Sequence, residues 1–382
     1  MNTTLMFFTT FIIQFIIAME MNLIGPLAPY LATYFNINDS SVMLFNLGYS
    51  AVGIFVPFLG VMADRHGKKR ILSFALGVYI FGTILAGLAN TPILFAFGRI
   101  FIGLGYFSLS GTNLSYISEF VSYKNRGKAS GILRTAFGMA IIIGTLYASK
   151  MLQIVSNIAA VYIPLGILGL IAFLLLFKLP ETTKNSNVKL DKTEIFEIIK
   201  EPESFKTFLS LLLLLAAPSL MLGYLGVYLS NSFNLTQENI GIIYTILALG
   251  STLGIILSTL FSDKVGKLKL AKIFFIILVL SQLAVPYLSN LIFPIILCTL
   301  FTMGLDGGWT AYQTYASEMQ TERRGTFMSI FYTVNALAVT IYSVLGPIIF
   351  NAAGFKLAVG VGSVSSALAL FVIFKLDKNN IN

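Results

Sequence analysis

There is one cysteine in the 382 residues, Cys298, and one histidine, His66. A disulfide within the chain is therefore excluded, and neither a multi-cysteine nor a multi-histidine metal site can be built. Charge is scarce too. Only 11% of residues are Asp, Glu, Lys or Arg, against about 25% in average soluble domains. So little charge can cover little solvated surface. H-E-x-x-H and G-x-S-x-G are both missing, so an intramembrane enzyme of those kinds is not supported. The apolar stretch 7–17 has no lysine or arginine before it and no A-x-A-like site after it. It reads as the start of a first span rather than as a cleaved signal.

What the chain has in quantity is apolar length. Hydrophobic residues make up 57% of it, and a helix needs roughly 20 of them to cross the hydrocarbon. Apolar windows predict twelve helices, over 6–30, 42–62, 71–89, 93–117, 129–148 and 158–179, then 208–229, 240–261, 270–288, 291–316, 327–350 and 357–374. With the N-terminus inside, twenty-one of the 25 lysines and arginines fall in one set of connections, the linker and the tail. That bias predicts both termini in the cytoplasm. It also accounts for the net charge of +9 without a nucleic-acid partner.

Residues 60–70 read G-V-M-A-D-R-H-G-K-K-R between two apolar spans. Gly60 is expected to allow close helix approach, and Gly67 a tight turn at positive φ. Arg65, Lys68, Lys69 and Arg70 mark the cytoplasmic side. The stretch resembles the signature loop of the major facilitator superfamily, G-x-x-x-D-R-x-G-R/K-R/K. Gly60, Asp64, Arg65, Gly67, Lys68 and Lys69 fall on that pattern. The resemblance implies an all-α integral membrane protein of 12 transmembrane helices in two parallel six-helix repeats. It also implies a cell-membrane transporter working by alternating access.

The halves repeat. Tyr30-Leu31 and Phe35-Asn36-Ile37 recur as Tyr228-Leu229 and Phe233-Asn234-Leu235. Asp64, Arg65 and Gly67 recur as Asp263, Lys264 and Gly266, and Arg126-Gly127 as Arg324-Gly325. The offsets are 198, 199 and 198. The expected organisation is an N-terminal half over 1–179, a cytoplasmic linker over 180–206 and a C-terminal half over 207–382. Within the linker, Ile195, Phe196, Ile198 and Ile199 stand among charges. They fit either a short helix on the inner membrane surface or a flexible connection.

Ionisable residues inside spans are expensive and point to function. Glu20, Arg99, Arg134 and Asp306 qualify. Glu20 can couple proton movement to substrate movement, or it can be a structural carboxylate paired with an arginine. Asp306 shares a helix face with Trp309, Thr310 and Gln313, a combination suited to a ligand with a cationic or hydroxylated part. Glu20, Tyr106, Asp306, Trp309, Gln313 and Asn335 are the expected pocket. Arg134 is long enough to reach the inner interface and is expected to snorkel there. Glu119 and Glu318, with Asp64, Asp263, Arg126 and Arg324, are expected to form a latch of ion pairs between cytoplasmic loops.

Two further segments resemble proton-coupled drug exporters of the superfamily. Glu20 and Pro29 keep the spacing of their first-helix motif. Arg99-I-F-I-Gly103-L-Gly105 follows their fourth-helix R-x-x-x-G-x-G. The resemblance implies a proton-coupling role for Glu20 and Arg99. A buried guanidinium at Arg99 would hold Glu20 ionised until substrate or proton intervenes, or the two form a fixed ion pair between helices. Asp306, as an acid inside a span, is a further coupling candidate. The exporters' fifth-helix G-P-x-x-G-G is missing; Gly138 and Gly144 stand there without the proline. The leading expectation is proton-coupled efflux of a small organic molecule, drug or sugar-like. The alternatives are proton-coupled uptake of a nutrient and a non-transporting receptor. No cofactor or metal is implied. The expected partners are a small-molecule substrate, protons and lipid, with the chain as a monomer.

Overall fold

The computed structural model of the protein describes residues 3–121, 126–182, 192–320 and 322–376, with backbone alone for 126–130 and 192. Lys124, Lys184, Lys189 and Lys378, which entered the charge asymmetry, lie outside the described residues, as do the side chains of Arg126, Lys128 and Lys192. The described residues are helical throughout, with no strand among them. Hydrocarbon offers no water to an unpaired amide, so a helix, which satisfies its own backbone, is the economical way across.

The first span is α1 (Thr3–Met21) continued by α2 (Ile24–Phe35). The second runs from a 3-10 turn (Asp39–Leu44) through α3 (Phe45–Ala51) and a second 3-10 turn (Val52–Phe55) into α4 (Val56–His66). Then come α5 (Lys68–Gly87), α6 (Pro92–Phe120), α7 (Arg126–Val155) and α8 (Ala159–Phe177). A short helix α9 (Lys192–Lys200) precedes α10 (Pro202–Leu214) and α11 (Ala216–Phe233), which together form one span. The rest are α12 (Gln237–Val265), α13 (Lys267–Gln282), α14 (Ile292–Ala316) and α15 (Arg324–Phe374).

Four of the irregularities have a common cause. Proline lacks an N–H and clashes with the carbonyl four residues earlier. Pro26, Pro57, Pro218 and Pro286 stand four residues after Asn22, Gly53, Leu214 and Gln282, the places where the helices part, tighten or end.

α15 has 51 residues, about 76 Å at 1.5 Å each, more than twice the hydrocarbon thickness. It is two spans. Its backbone leaves helical geometry at Ala353 and Gly354. The chain then folds back, so that the Tyr342 hydroxyl lies 3.4 Å from Ser365 Oγ. Of the eleven helices among the described residues that are long and apolar enough to cross a membrane, this last one therefore counts twice, giving twelve spans.

Each half has its own apolar core. The linker helix α9 belongs to the second core. Ile198 is fully buried there while Phe196 stays exposed, and Arg323 holds Glu197 at 3.1 Å.

The halves meet along α2 with α11, α7 with α12, and the second span with the first limb of α15. Glycine sets the approach: a Cβ on Gly226 would lie 2.4 Å from the Gly25 carbonyl oxygen. Around this contact Tyr224 donates to the Ser40 carbonyl at 2.9 Å, and Asn231 to Asp39 at 2.8 Å. Gln237 donates to the Pro26 carbonyl at 2.8 Å and to Ser149 at 3.2 Å. Nearer the midplane, Thr145 and Thr245 lie 3.3 Å apart, and Thr340 donates to Ser50 at 2.9 Å.

All these bonds lie at the midplane or toward the end opposite the Gly67 and Gly266 loops. At the loop end, called here the basic end, no hydrogen bond or ion pair joins the halves among the described residues. The close approach expected of Gly60 is absent: Gly60 is exposed, and a Cβ there would meet nothing within 4 Å. The physical reason is rotational: α4 packs on α5, α6 and α15 through its other faces, and Gly60 lies on the face that none of them covers.

Replacing Gly226 by Leu should push α11 off α2 and cost about 1–3 kcal/mol by overpacking. The check is maleimide labelling of a Ser40→Cys reporter, since Ser40 is 2% exposed and the native Cys298 is buried. Labelling should rise in the Gly226→Leu background; unchanged labelling would refute the account of the seam.

Candidate functional site

Arg99 heads the largest fully buried side chains among the described residues. The glycines after it explain how a guanidinium fits there. A Cβ on Gly103 would lie 2.2 Å from the Tyr49 carbonyl oxygen, and one on Gly105 2.7 Å from the Tyr79 side chain. Their bareness lets α6 lie flush against α3 and α5. That contact delivers Asn46 and Tyr49 to Arg99.

The guanidinium is satisfied on all sides. Nε donates to the Phe45 carbonyl at 3.3 Å, Nη2 to Asn46 Oδ1 at 2.7 Å, and Nη1 to Glu20. Its carbon sits 4.3 Å from the centre of the Tyr49 ring. Glu20 comes from the last turn of α1, next to the break before Pro26, and is also fully buried. The Tyr162 hydroxyl neighbours this carboxylate. In a low dielectric the two opposite charges cost far less together than either would alone.

Asp306 is arranged differently. It is only partly buried, and its carboxylate accepts from Ser251 of α12. No cation pairs with it among the described residues. One turn and two turns further along the same face lie Trp309, Thr310 and Gln313. Gln313 donates to the Tyr332 hydroxyl at 2.5 Å, and Trp309 packs on Phe331 at 5.5 Å. Tyr106 of α6 packs on Tyr49 at 5.5 Å and lies within electrostatic reach of Tyr332. Asn335, three residues after Tyr332, makes no side-chain hydrogen bond among the described residues.

The structure thus divides the expected pocket. Tyr106, Asp306, Trp309, Gln313 and Asn335 are all partly accessible. Glu20 is not, because Arg99 draws it into the N-terminal core. No hydrogen bond or ion pair links Glu20 to Asp306 among the described residues.

The expected latch between loops is also different. Gly67 takes φ +96° and Gly266 φ +93°, and each ends one helix and starts the next. The following lysines are clamped within their own halves. Lys68 pairs with Glu119 and, at 3.7 Å, with Asp64. Lys267 pairs with Glu318 at 2.5 Å and with Asp263 at 3.9 Å. Lysine wins these acids because it is tethered at the turn between them. Arg324 reaches Ser317 at 3.1 Å instead of Glu318, and the Arg126 side chain lies outside the described residues. Arg65 is exposed with no acidic partner among the described residues. Lys69 caps the end of α8, donating to the Leu179 carbonyl at 2.6 Å, with Glu181 3.4 Å away. The Lys68 amide donates to Thr182 at 2.7 Å.

Sequence reasoning missed Asn46, Tyr49, Tyr162, Ser251, Tyr332 and Lys267 as site residues. For Lys267 a signal existed: the offset of 199 that carries Asp64 to Asp263 also carries Lys68 to Lys267 and Glu119 to Glu318. The aromatic and hydroxyl residues carried none, since such side chains are common in spans.

The chain matches the family model described as Major Facilitator Superfamily over residues 10–341. It is 25% identical over 379 residues to the minor myo-inositol transporter IolF of Bacillus subtilis (strain 168), covering 90% of this chain and 84% of that protein. It is 28% identical over 219 residues to the sialic acid transporter NanX of Escherichia coli (strain K12), covering 55% of this chain and 52% of that protein. Its fold is similar to the crystal structure of a D-xylose-proton symporter, with a TM-score of 0.83 at 14% identity, over 100% of this chain and 99% of that one.

Removing Arg99 alone leaves Glu20 buried without its counter-charge. Arg99→Leu should cost about 3–5 kcal/mol, while Glu20→Leu combined with Arg99→Leu should cost less than Arg99→Leu alone. Thermal unfolding of the purified variants tests this; simple additivity of the two substitutions would show that they are not an energetic pair.

Proposed function

Because this chain belongs to the Major Facilitator Superfamily, a family of membrane transporters, we propose that it moves a small hydroxylated organic molecule against protons by alternating access. The protein is multi-pass, and the lysine and arginine bias puts its basic end in the cytoplasm of a cell-membrane transporter. In that orientation the conformation described above is closed to the outside and parted toward the inside. The two halves rock about their seam, as a monomer, with the substrate between them.

The observation that carries the coupling is Asp306, a carboxylate inside a span that has a hydroxyl for company and no cation. A lone charge there is costly. A proton removes the charge without disturbing any ion pair. Substrate hydroxyls at Asp306, Trp309 and Gln313 then compete with that proton, which is the requirement for exchange. Glu20 and Arg99 serve as a second element: a proton on Glu20 would release Arg99 and loosen α1 against α6. Export is the direction favoured by the Glu20–Pro29 and Arg99–Gly105 segments. Uptake with protons is the second reading, favoured by the missing G-P-x-x-G-G.

Acid-loaded inverted vesicles carrying a pH-sensitive dye provide the test. Polyols, sugars, organic cations and amphipathic drugs would be added in turn. Export predicts proton release on adding one of these classes, abolished by Asp306→Asn and reduced by Glu20→Gln. Release that survives both substitutions would remove these carboxyls from the coupling. Acid-driven accumulation in right-side-out vesicles, with no release in inverted ones, would select uptake.

A further inference from the structure

Arg134 stands on the face of α7 that packs against the opposite half. Along α7, residues 134, 138, 145 and 149 recur at helical spacing and share one face. That face is the seam. Ser149 meets Gln237, Thr145 meets Thr245, and a Cβ on Gly138 would lie 3.7 Å from Thr252 of the opposite half. Arg134 is one turn beyond Gly138, about 6 Å further toward the basic end. There the seam has parted and the side chain is exposed. It points at the opposite half, within electrostatic reach of Tyr332.

No carboxylate pairs with Arg134 among the described residues. The intramembrane acids are engaged elsewhere, Glu20 with Arg99 and Asp306 with Ser251. Its surroundings also offer donors. The Tyr332 oxygen accepts from Gln313 at 2.5 Å, which leaves the hydroxyl hydrogen free. A guanidinium has five N–H donors and no acceptor. A planar donor fork within electrostatic reach of a free phenol hydroxyl, with no acid paired to it among the described residues, is suited to a carboxylate.

We propose that Arg134 is the anion-binding residue of the translocation site, so that the substrate is a hydroxylated organic anion. Its charged end lies on Arg134 and Tyr332, and its hydroxylated body extends toward Gln313, Trp309 and Asp306. This rests on the reading of the inter-half space as the transport site.

Trp309 is the single tryptophan of the chain and stands on the pocket face, so intrinsic fluorescence reports binding directly. The purified full chain would be titrated with D-glucuronate and D-gluconate, each beside a neutral partner, D-glucose and D-glucitol, and with D-glucosamine. Saturable changes are expected for the carboxylates at lower concentration than for their partners. Arg134→Gln should raise the carboxylate half-saturation roughly tenfold, the size of one charge-assisted hydrogen bond, and leave the neutral sugars unchanged. Arg134→Lys should retain part of the preference, and both variants should unfold at the wild-type temperature. Carboxylates that bind no better than their neutral or aminated partners, or not at all, overturn the proposal. So does an Arg134→Gln variant with wild-type carboxylate binding. Because the readout is binding, loss of the anion preference with proton release intact would discard the substrate class alone. Absent proton release with the preference intact would discard the coupling alone.

Discussion

The constraint on which the rest depends is that the membrane interior has no water with which to satisfy a polar group. Backbone amides must pair within their own segment, hence helices throughout. At Pro26 and Pro218, where proline removes an amide, the helix parts four residues earlier, at Asn22 and Leu214. Charges obey the same rule. Arg99 enters the core only because Glu20, Asn46, the Phe45 carbonyl and the Tyr49 ring surround it. Asp306 and Arg134, which have no opposite charge paired to them among the described residues, are the ones left accessible, Asp306 in part and Arg134 exposed.

That contrast separates the two halves chemically. The N-terminal half spends its intramembrane acid on an internal arginine and is electrostatically closed. The C-terminal half leaves Asp306, Gln313 and Asn335 partly accessible, with Tyr332 bonded to Gln313. Arg134 crosses the division, carried by the N-terminal half and aimed at the C-terminal one. A molecule bound there would contact both halves, which is what an alternating mechanism needs if occupancy is to alter their relation.

The loops show the opposite economy, an arrangement used twice. Lys68 between Asp64 and Glu119 is matched by Lys267 between Asp263 and Glu318, with Gly67 and Gly266 at nearly the same positive φ. These clamps stiffen each half at its basic end without tying one half to the other. The ties between halves lie at the other end, where Gly25 and Gly226 bring two backbones together. The halves are therefore rigid where they part and bound where they meet.

Apolar length, the lysine and arginine bias, the G-x-x-x-D-R-x-G-K-K stretch and the offset of 198 to 199 are one-dimensional features. By themselves they determined the helical class, the twelve spans, the family and the repeat, because span length and loop charge need no knowledge of neighbours. They also marked Glu20, Arg99, Arg134 and Asp306, since a charge in an apolar run stands out anywhere. Which of these charges meet was decided only in three dimensions. The sequence suggested that Arg99 meets Glu20 but could not say that the pair lies buried away from the pocket, that Lys267 rather than Arg324 takes Glu318, or that Gly60 stands bare. Nor could it turn Arg134 toward the opposite half. The reason is geometric: partners such as Asn46, Tyr162, Ser251 and Tyr332 are ordinary residues in sequence. They gain their roles from the rotation of each helix, which is set by packing against helices far away along the chain.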